Sequence, residues 1–392
     1  MYFHFIKSNL LLIVLFIWIL LPIFVYDEVV RILALISIII FSIQNFSISN
    51  KKVLFAIIVF MLYTFTINTI ESNSSFLLRH LQLYIFLVLI FVSTIVMQFS
   101  TERKTQLILI ILTFNLIALT GTFLGLLTDS HAARALSKSS EAGIKLSALG
   151  IGGYGSVYMN VILYPLLFVI KKTIKNNLIN YLVWANLIAL VLTILYANFL
   201  IAILLLSFQI IYLSINSTKG NIKFMYLLSV IIIILIAYSN IEYIEKETYS
   251  IVEGTSLRLK HSDIFSQIRG DESINGTIAS RSERYARSLN IFFTNPITGS
   301  LSFDNIGKHS NILDLFAQFG FFIGFLFLSI IRKLPLTLLK KSAFGNKYYI
   351  KSLIWSIIIF GLVNNFSMQH GIVYIIIACL INNRGIDLNK IS

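Results

Sequence analysis

The sequence is built from apolar runs that are each about as long as a membrane is thick. Runs such as 9–26, 53–70 and 81–99 contain almost no charged residue. A helix of about 20 apolar residues crosses the roughly 30 Å hydrocarbon core of a bilayer, and it satisfies its own backbone where lipid offers no partner. The runs therefore predict an all-α, polytopic integral membrane protein that forms a single transmembrane domain over 1–392. The twelve predicted spans are 9–26, 30–47, 53–70, 81–99, 107–127, 148–170, 178–196, 198–215, 224–241, 312–331, 352–365 and 368–382.

Composition agrees with a membrane protein and predicts its orientation. Of the 392 residues, 57% are hydrophobic and 12% are charged, whereas soluble domains carry about 25% charged residues. With both termini inside, the inner segments hold 18 basic and 2 acidic residues, and the outer segments hold 13 basic and 15 acidic residues. This distribution follows the positive-inside rule, so we predict cytoplasmic N- and C-termini. The net charge of +14 then reflects membrane orientation, and nucleic acid is not an expected partner.

The predicted spans contain almost no ionisable side chain. Arg31 lies at a span edge, where its long stem can reach the interface. A proton or ion pathway through the helices normally needs carboxylates or histidines inside the membrane, so the chemistry is expected in the loops. Two outer loops are long, at 128–147 and 242–311. The second has about 70 residues, which is much more than a connection between two helices needs.

The second outer loop contains the pattern of an amphipathic helix over about 281–294. Ser280 and Glu283 have the spacing of a capping box at its start, and Asn295-Pro296 ends it. At 100° per residue, three arginines and a serine fall on one side and four aromatic or apolar residues on the other: Arg281, Arg284, Arg287 and Ser288 against Tyr285, Leu289, Phe292 and Phe293. We expect this helix to lie on the membrane surface.

The arginines of this helix have two interpretations. They either contact lipid headgroups, as on other interfacial helices, or they form a phosphate site. Arginine near a helix start opposes the helix dipole, and like charges three residues apart repel each other. A residue that lowers the stability of its own helix is typical of functional positions. Planar guanidiniums also suit the bidentate binding of phosphate.

His309 lies where the second outer loop returns to the membrane. Histidine titrates near neutral pH, which suits a general base. A solvated interfacial histidine is the alternative, and spacing alone favours it. Asp314 either orients the imidazole or serves as an early-turn carboxylate that the helix dipole favours.

The first outer loop carries Arg134 among several charged residues, and the glycine-rich segment 150–155 follows it. Small residues let helices approach closely in membranes, and we favour that role for the glycines. The segment also has the shape of a dinucleotide fingerprint. We reject that interpretation because no βαβ unit surrounds the segment and it opens a predicted span.

At these two loops the sequence resembles the O-antigen polymerase and ligase superfamily of bacterial envelope glycosyltransferases, and more closely the Wzy-type polymerases. The resemblance spans most of the chain. It is sharpest at the end of the second loop and in the next span, in this order: Arg281-Ser282-Glu283-Arg284-Tyr285, Asn295-Pro296-Ile297-Thr298-Gly299, His309-Ser310, Leu313-Asp314, Gly320 and Gly324. Segment 152–158, with Arg134 upstream, is similar to what many polymerases carry. Segment 196–199 lacks the arginine that ligases usually have after the seventh span.

The resemblance implies a GT-C-like, metal-independent glycosyltransferase of the bacterial inner membrane that uses no cofactor. Its substrates would be undecaprenyl-pyrophosphate-linked oligosaccharide repeats among the membrane lipids, with a chain-length regulator and a flippase as further partners. By the same resemblance, His309 accepts a proton from the attacking sugar hydroxyl and Arg281 stabilises the leaving pyrophosphate, so both are expected to be catalytic. The residues expected to bind substrate are Arg284, Arg287, Arg134, Asp314 and Tyr285.

Three functional classes compete on this evidence: a repeat-unit polymerase, a ligase to the lipid A core, and a flippase or other transporter. The polymerase is favoured. A flippase is expected to line its central cavity with intramembrane charge and has no need of so long an outer loop. The ligase differs from the polymerase in its acceptor, which sequence does not define.

Overall fold

The structure is a computed structural model. It describes residues 2–47, 50–70, 74–129, 132–136, 140–197, 199–217, 241–253 and 277–381, together with positions 258, 261, 262 and 265. All elements in these ranges are helices, and none of these residues forms a strand.

Sixteen α-helices are described, and two short 3₁₀ turns, Phe344–Asn346 and Met368–His370, accompany them. In chain order the helices are α1 Tyr2–Leu20, α2 Pro22–Val25, α3 Glu28–Gln44, α4 Lys51–Ile70, α5 Ser74–Val96, α6 Thr101–Thr128, α7 Ala132–Ala135, α8 Ser140–Ala148, α9 Tyr154–Thr173, α10 Asn177–Ala197, α11 Leu200–Ser217, α12 Ile241–Val252, α13 Thr277–Thr294, α14 Asn311–Lys341, α15 Lys347–Val363 and α16 Gly371–Leu380.

Five of these helices, α4, α6, α9, α10 and α14, are long and apolar enough to cross a membrane. Four shorter apolar helices cover 9–20, 80–96, 200–216 and 368–380. The chain is therefore a helical membrane protein. The count of twelve spans stays a prediction, and residues 224–240 of the predicted span 224–241 lie outside the described residues.

Several helices begin at a side chain that caps the first turn. Asp27 accepts from Val30 N at 2.9 Å before α3, and Ser100 accepts from Arg103 N at 3.3 Å before α6. Ser310 does the same for Leu313 N at 3.0 Å before α14. Such caps satisfy amides that have no partner within the helix.

The core of the bundle lies around α16, in which every residue is buried. Helices α5, α6, α9 and α14 pack around it. Between α6, α9 and α10, Asn115 Nδ2 donates to Asn160 Oδ1 at 2.8 Å and to Asn186 Oδ1 at 2.9 Å. These three residues form the asparagine cluster, which joins three helices through neutral amides.

The long predicted loops contain helices of their own. Helices α7 and α8 occupy much of 128–147, and α12 and α13 lie in 242–311. The amphipathic helix predicted over about 281–294 is present as α13, but it begins earlier, at Thr277. The predicted capping box was therefore wrong, because Ser280 lies inside the first turn and does not precede it.

Candidate active site

Helix α13 packs against α14. Ser288 is fully buried, whereas Leu289 is 40% and Phe293 is 73% exposed. Exposed apolar side chains on a surface helix are typical of contact with lipid. The side of the helix that carries Arg284 and Ser288 is therefore directed at the protein, where Phe292 also packs on Phe316 at 5.4 Å. Leu289 and Phe293 face outward, but so does Arg287, so the predicted separation of arginines from apolar residues holds only in part.

His309 meets this helix through Arg284. Arg284 Nη1 lies 2.7 Å from His309 Nε2. A guanidinium only donates hydrogen bonds, so Nε2 accepts, and the neutral ring carries its proton on Nδ1. A second positive charge on the imidazole would lie against the guanidinium, so this contact favours the neutral ring.

Asp314 holds the backbone on both sides of His309. Its carboxylate accepts from Ser288 Oγ at 2.7 Å and from Ser310 N at 2.9 Å. Ser288 Oγ in turn accepts from Gly307 N at 2.9 Å. Asp314, Ser288 and Ser310 form the carboxylate cluster, which fixes the loop that carries the imidazole. Asp314 thus acts on His309 through the loop backbone.

The chain between α13 and α14 pairs with a break in α14. Gly320 has a φ of 72° inside that helix, and Phe321 N donates to Pro296 O at 2.8 Å. Leu301 N donates to Gln318 O at 2.9 Å. A Cβ on Gly320 would overlap the Ile297 carbonyl. The asparagine-proline turn and the glycine therefore belong to one backbone contact.

Tyr285 and Arg281 lie one turn apart on α13. The Tyr285 hydroxyl donates to Val363 O at 2.8 Å, which ties α13 to the end of α15. Burial raises the pKa of Tyr285, and the Arg281 charge lowers it by a smaller amount. Among the described residues, Arg281 has no hydrogen-bond partner.

The remaining predicted binding residues are placed less centrally. Arg287 forms an ion pair with Glu283 at 3.0 Å on the exposed side of α13. Such surface pairs contribute little to stability. Arg134 lies in α7, and its side chain is outside the described part of the structure. Its near neighbour Leu136 lines a cavity.

Two adjoining cavities lie beside this loop. The larger has a volume of about 700 Å³ and lies among the ends of α1, α9, α15 and α16. The smaller, of about 240 Å³, has Lys308 and Asp314 in its wall. Three residues line both cavities: Gln82, Asn365 and Phe366. Since these helix ends belong to the predicted outer side, the cavities and His309 share that side.

Sequence reasoning missed several residues of these walls. Lys308 pairs with Asp304 at 2.9 Å and lies over the Phe303 ring. His80 is buried in the smaller cavity, and His370 lines the larger one. Each is a single histidine or lysine in its segment, and an isolated residue of this kind carries no distinctive spacing.

This arrangement brings together a neutral imidazole, a guanidinium in contact with it and a second guanidinium one turn away. Such a set accepts a proton from a hydroxyl and stabilises an anionic leaving group. Among the described residues, no cluster of three or more His, Cys, Asp or Glu side chains could hold a metal ion. No protein-family model matches the chain, and a search of curated proteins finds no relative.

Proposed function

We propose that the chain is a membrane glycosyltransferase that polymerises undecaprenyl-pyrophosphate-linked oligosaccharide repeats at the outer face of the bacterial inner membrane. The observation that carries this proposal is the 2.7 Å contact between Arg284 Nη1 and His309 Nε2. Transfer from a glycosyl pyrophosphate needs a base for the attacking hydroxyl and a cation for the leaving group. These two kinds of group are in contact here.

In the proposed reaction, a sugar hydroxyl of one lipid-linked repeat attacks the anomeric carbon of a second glycan. A new carbon–oxygen bond forms as the bond to pyrophosphate breaks, and the electron pair leaves with the pyrophosphate. The hydroxyl proton passes to His309 Nε2, which becomes free when Arg284 turns from the imidazole to the leaving group. Arg281 adds a second guanidinium. A pyrophosphate is a good leaving group, so the reaction needs no general acid.

The two cavities support this proposal because they supply space for glycans near the loop that carries His309, whose neighbour Lys308 lines the smaller one. The larger one falls within the roughly 300–1,000 Å³ of small-molecule sites. Arg31 is the one charged side chain among the described residues that line it. That composition does not favour a flippase, for which we expect charge inside the transport cavity.

Replacing His309 with Ala tests the proposal and separates the three classes. For a polymerase, long chains disappear while single repeats still reach the lipid A core. For a ligase, the core stays bare and long glycans accumulate on undecaprenyl pyrophosphate. For a flippase, no repeat reaches the outer side. Gel analysis of lipopolysaccharide, at matched membrane levels of the variant, distinguishes these patterns. A full-length ladder from His309→Ala contradicts the role of His309 as the base.

Replacing Arg284 with Lys tests the bidentate role, because lysine keeps the charge and loses the planar fork. We expect long chains to decrease strongly in this variant. Arg287→Lys is the matched control, since Arg287 lies on the same helix but pairs with Glu283. Equal losses in both variants contradict the specific role of Arg284.

The proposal also requires the site to face outward, which cysteine labelling measures. Ser310 is fully buried, so a reporter there would not react, whereas Asn305 is exposed. In a Cys379→Ala background, Asn305→Cys should react with a membrane-impermeant maleimide in intact spheroplasts. Gly345→Cys, on the predicted inner side, should react only after lysis. The reverse pattern contradicts the predicted topology.

A further inference from the structure

The larger cavity contains a buried hydrogen-bond donor that has no acceptor. His370 is 2% exposed and lies in the cavity wall. Ser367 N donates to His370 Nδ1 at 3.0 Å. The ring therefore accepts at Nδ1, and in its neutral form it carries the proton on Nε2. Within the described part of the chain, Nε2 has no hydrogen-bond partner.

A buried donor without a partner costs free energy unless a hydrogen-bond acceptor occupies the space beside it. The ring of His370 cannot turn away easily, because it stacks on Phe360 at 4.6 Å and meets the edge of Phe366 at 5.7 Å. Ser367 also fixes its other nitrogen. A ligand that brings an oxygen acceptor to Nε2 would remove this cost.

The first turn of α9 faces the same space. Gly153 precedes this helix and provides no side-chain cap. At Gly155, a Cβ would approach Gln369 Oε1 at 2.5 Å and Ser367 Oγ at 2.6 Å. The glycine thus lets the polar segment that contains His370 pack against the helix start. Together they form a polar patch in a cavity that is otherwise lined mostly by aliphatic and aromatic side chains.

The lining indicates an uncharged ligand. Arg31 is the single charged side chain among the described lining residues, and it pairs with Glu28 at 3.2 Å. The rest of the wall combines aliphatic side chains, aromatic rings and amides. Aromatic faces pack against the apolar faces of sugar rings, and amides and a neutral histidine hydrogen-bond to hydroxyl or acetamido oxygens. The residues that supply these groups are Trp18, Tyr26, Tyr154, Gln82, Asn365 and Gln369.

We propose that this cavity binds a neutral sugar unit of the lipid-linked glycan, with His370 Nε2 donating to one of its oxygens. This inference rests on the proposed function for the identity of the glycan. It separates two tasks in space: the arginines of α13 hold the charged pyrophosphate, and the cavity holds the uncharged sugar.

Photocrosslinking in native membranes tests the proposal. Tyr26 is replaced by p-benzoylphenylalanine, a photoreactive aromatic residue, and the probe is the endogenous lipid-linked glycan. Tyr26 lines the cavity and is 42% exposed. Tyr196 is the matched control, because it is 43% exposed at the predicted outer end of α10 and does not line the cavity. Mass spectrometry of the crosslinked peptides should find neutral sugars at position 26 and only lipid at position 196.

A pair of His370 variants isolates the donor. Asparagine keeps an acceptor near the position of Nδ1, whereas glutamine keeps a donor near the position of Nε2. We expect His370→Asn to reduce the glycan crosslink at position 26 about fivefold, the change expected for one net hydrogen bond. His370→Gln should retain it. Membrane levels and thermal unfolding midpoints check that both variants fold.

Each result has a defined meaning. Lipid alone at both positions, or no glycan at position 26 while position 196 labels, overturns the proposal. An acidic sugar or a phosphate at position 26 overturns the neutral class. Equal crosslinking in both His370 variants overturns the role of Nε2. A neutral glycan at position 26 together with an unchanged ladder in His309→Ala leaves this sugar site standing and rejects the proposed reaction.

Discussion

The asparagine cluster inside the bundle and the carboxylate cluster beneath His309 are both buried, but they differ in charge and in what they hold. Asn115 donates to two neighbouring amides and joins three regular helices. Asp314 accepts from Ser288 and from the backbone of Ser310, and so holds irregular chain. The first cluster connects elements that are already folded, and the second gives one particular shape to a loop.

This difference indicates where the protein depends on a single side chain. Neutral hydrogen bonds between membrane helices contribute modestly, on average about 0.6 kcal/mol each. A carboxylate that satisfies buried donors costs more to replace, because its partners are then left unpaired. We therefore expect substitutions around His309 to have larger effects than those in the asparagine cluster.

The largest effect is expected for Gly320→Ala. The positive φ alone costs a residue with a side chain roughly 1–3 kcal/mol, and overlap with the Ile297 carbonyl adds to this. The segment between α13 and α14 should lose its pairing with α14 and become sensitive to trypsin. Gly345→Ala is the control, since nothing lies within 4 Å of that position. Equal protease resistance in the two variants contradicts the described backbone contact.

Asp314→Asn is expected to have the next largest effect. Asparagine keeps one acceptor oxygen but replaces the second with an NH₂ group, so one donor loses its partner. We expect a loss of about 1–3 kcal/mol in the free energy of unfolding, together with loss of activity. Asp304→Asn serves as the control, because the Asp304 side chain is 71% exposed and forms a surface ion pair with Lys308. If the two variants unfold at the same temperature, the carboxylate cluster has no special role.

Asn115→Ala should have a smaller effect of a different kind. It removes two amide contacts, so we expect a loss of about 1 kcal/mol in the free energy of unfolding. Activity should remain, because the cluster lies away from His309. Thermal unfolding in lipid nanodiscs and the polysaccharide ladder measure the two quantities separately. Loss of the ladder at normal stability would show that the two clusters are coupled.

Tyr285→Phe is expected to have the smallest effect, about 0.5–1 kcal/mol for one hydrogen bond to Val363 O. Because burial raises the pKa of Tyr285, the folded state holds the phenolic proton more tightly than the unfolded state. The stabilisation that follows from this raised pKa is fully present below a pH of about 10. It is lost as the pH rises through the pKa that Tyr285 has in the folded state. Unfolding midpoints over alkaline pH should therefore fall less steeply in the variant than in the parent protein.

Much of the helical layout follows from the sequence, because apolar length and loop charge are local signals. The surface helix was predictable from its arginine pattern, and its end at Thr294 coincides with the Asn295-Pro296 turn. Its start was predicted wrongly, because the capping pattern of Ser280 and Glu283 lies inside the helix that begins at Thr277.

The pairing of side chains was less predictable. Arg281 and Arg284 lie on the same side of the helix, and the sequence favoured Arg281 as the partner in catalysis. In the structure it is Arg284 that contacts His309. The two residues are 25 positions apart in the sequence, so their contact depends on how α13 packs against the loop that carries His309. His370 carries no sequence signal of its own, because its unpaired nitrogen exists only where α9, α15 and α16 enclose a cavity.

The outward-facing side chains of α13 also determine how deep this helix lies in the membrane. Leu289 and Phe293 point away from the protein, and on α14 the rings of Phe321 and Phe325 stack at 5.5 Å, with both residues exposed. These exposed apolar side chains are stable where lipid hydrocarbon covers them. A mismatch between the apolar protein surface and the hydrocarbon thickness costs fractions of a kcal/mol per Å. The level of His309 and Arg284 relative to the lipid headgroups is therefore tied to bilayer thickness, and a thinner or thicker membrane would shift these side chains relative to the plane of the lipid phosphates.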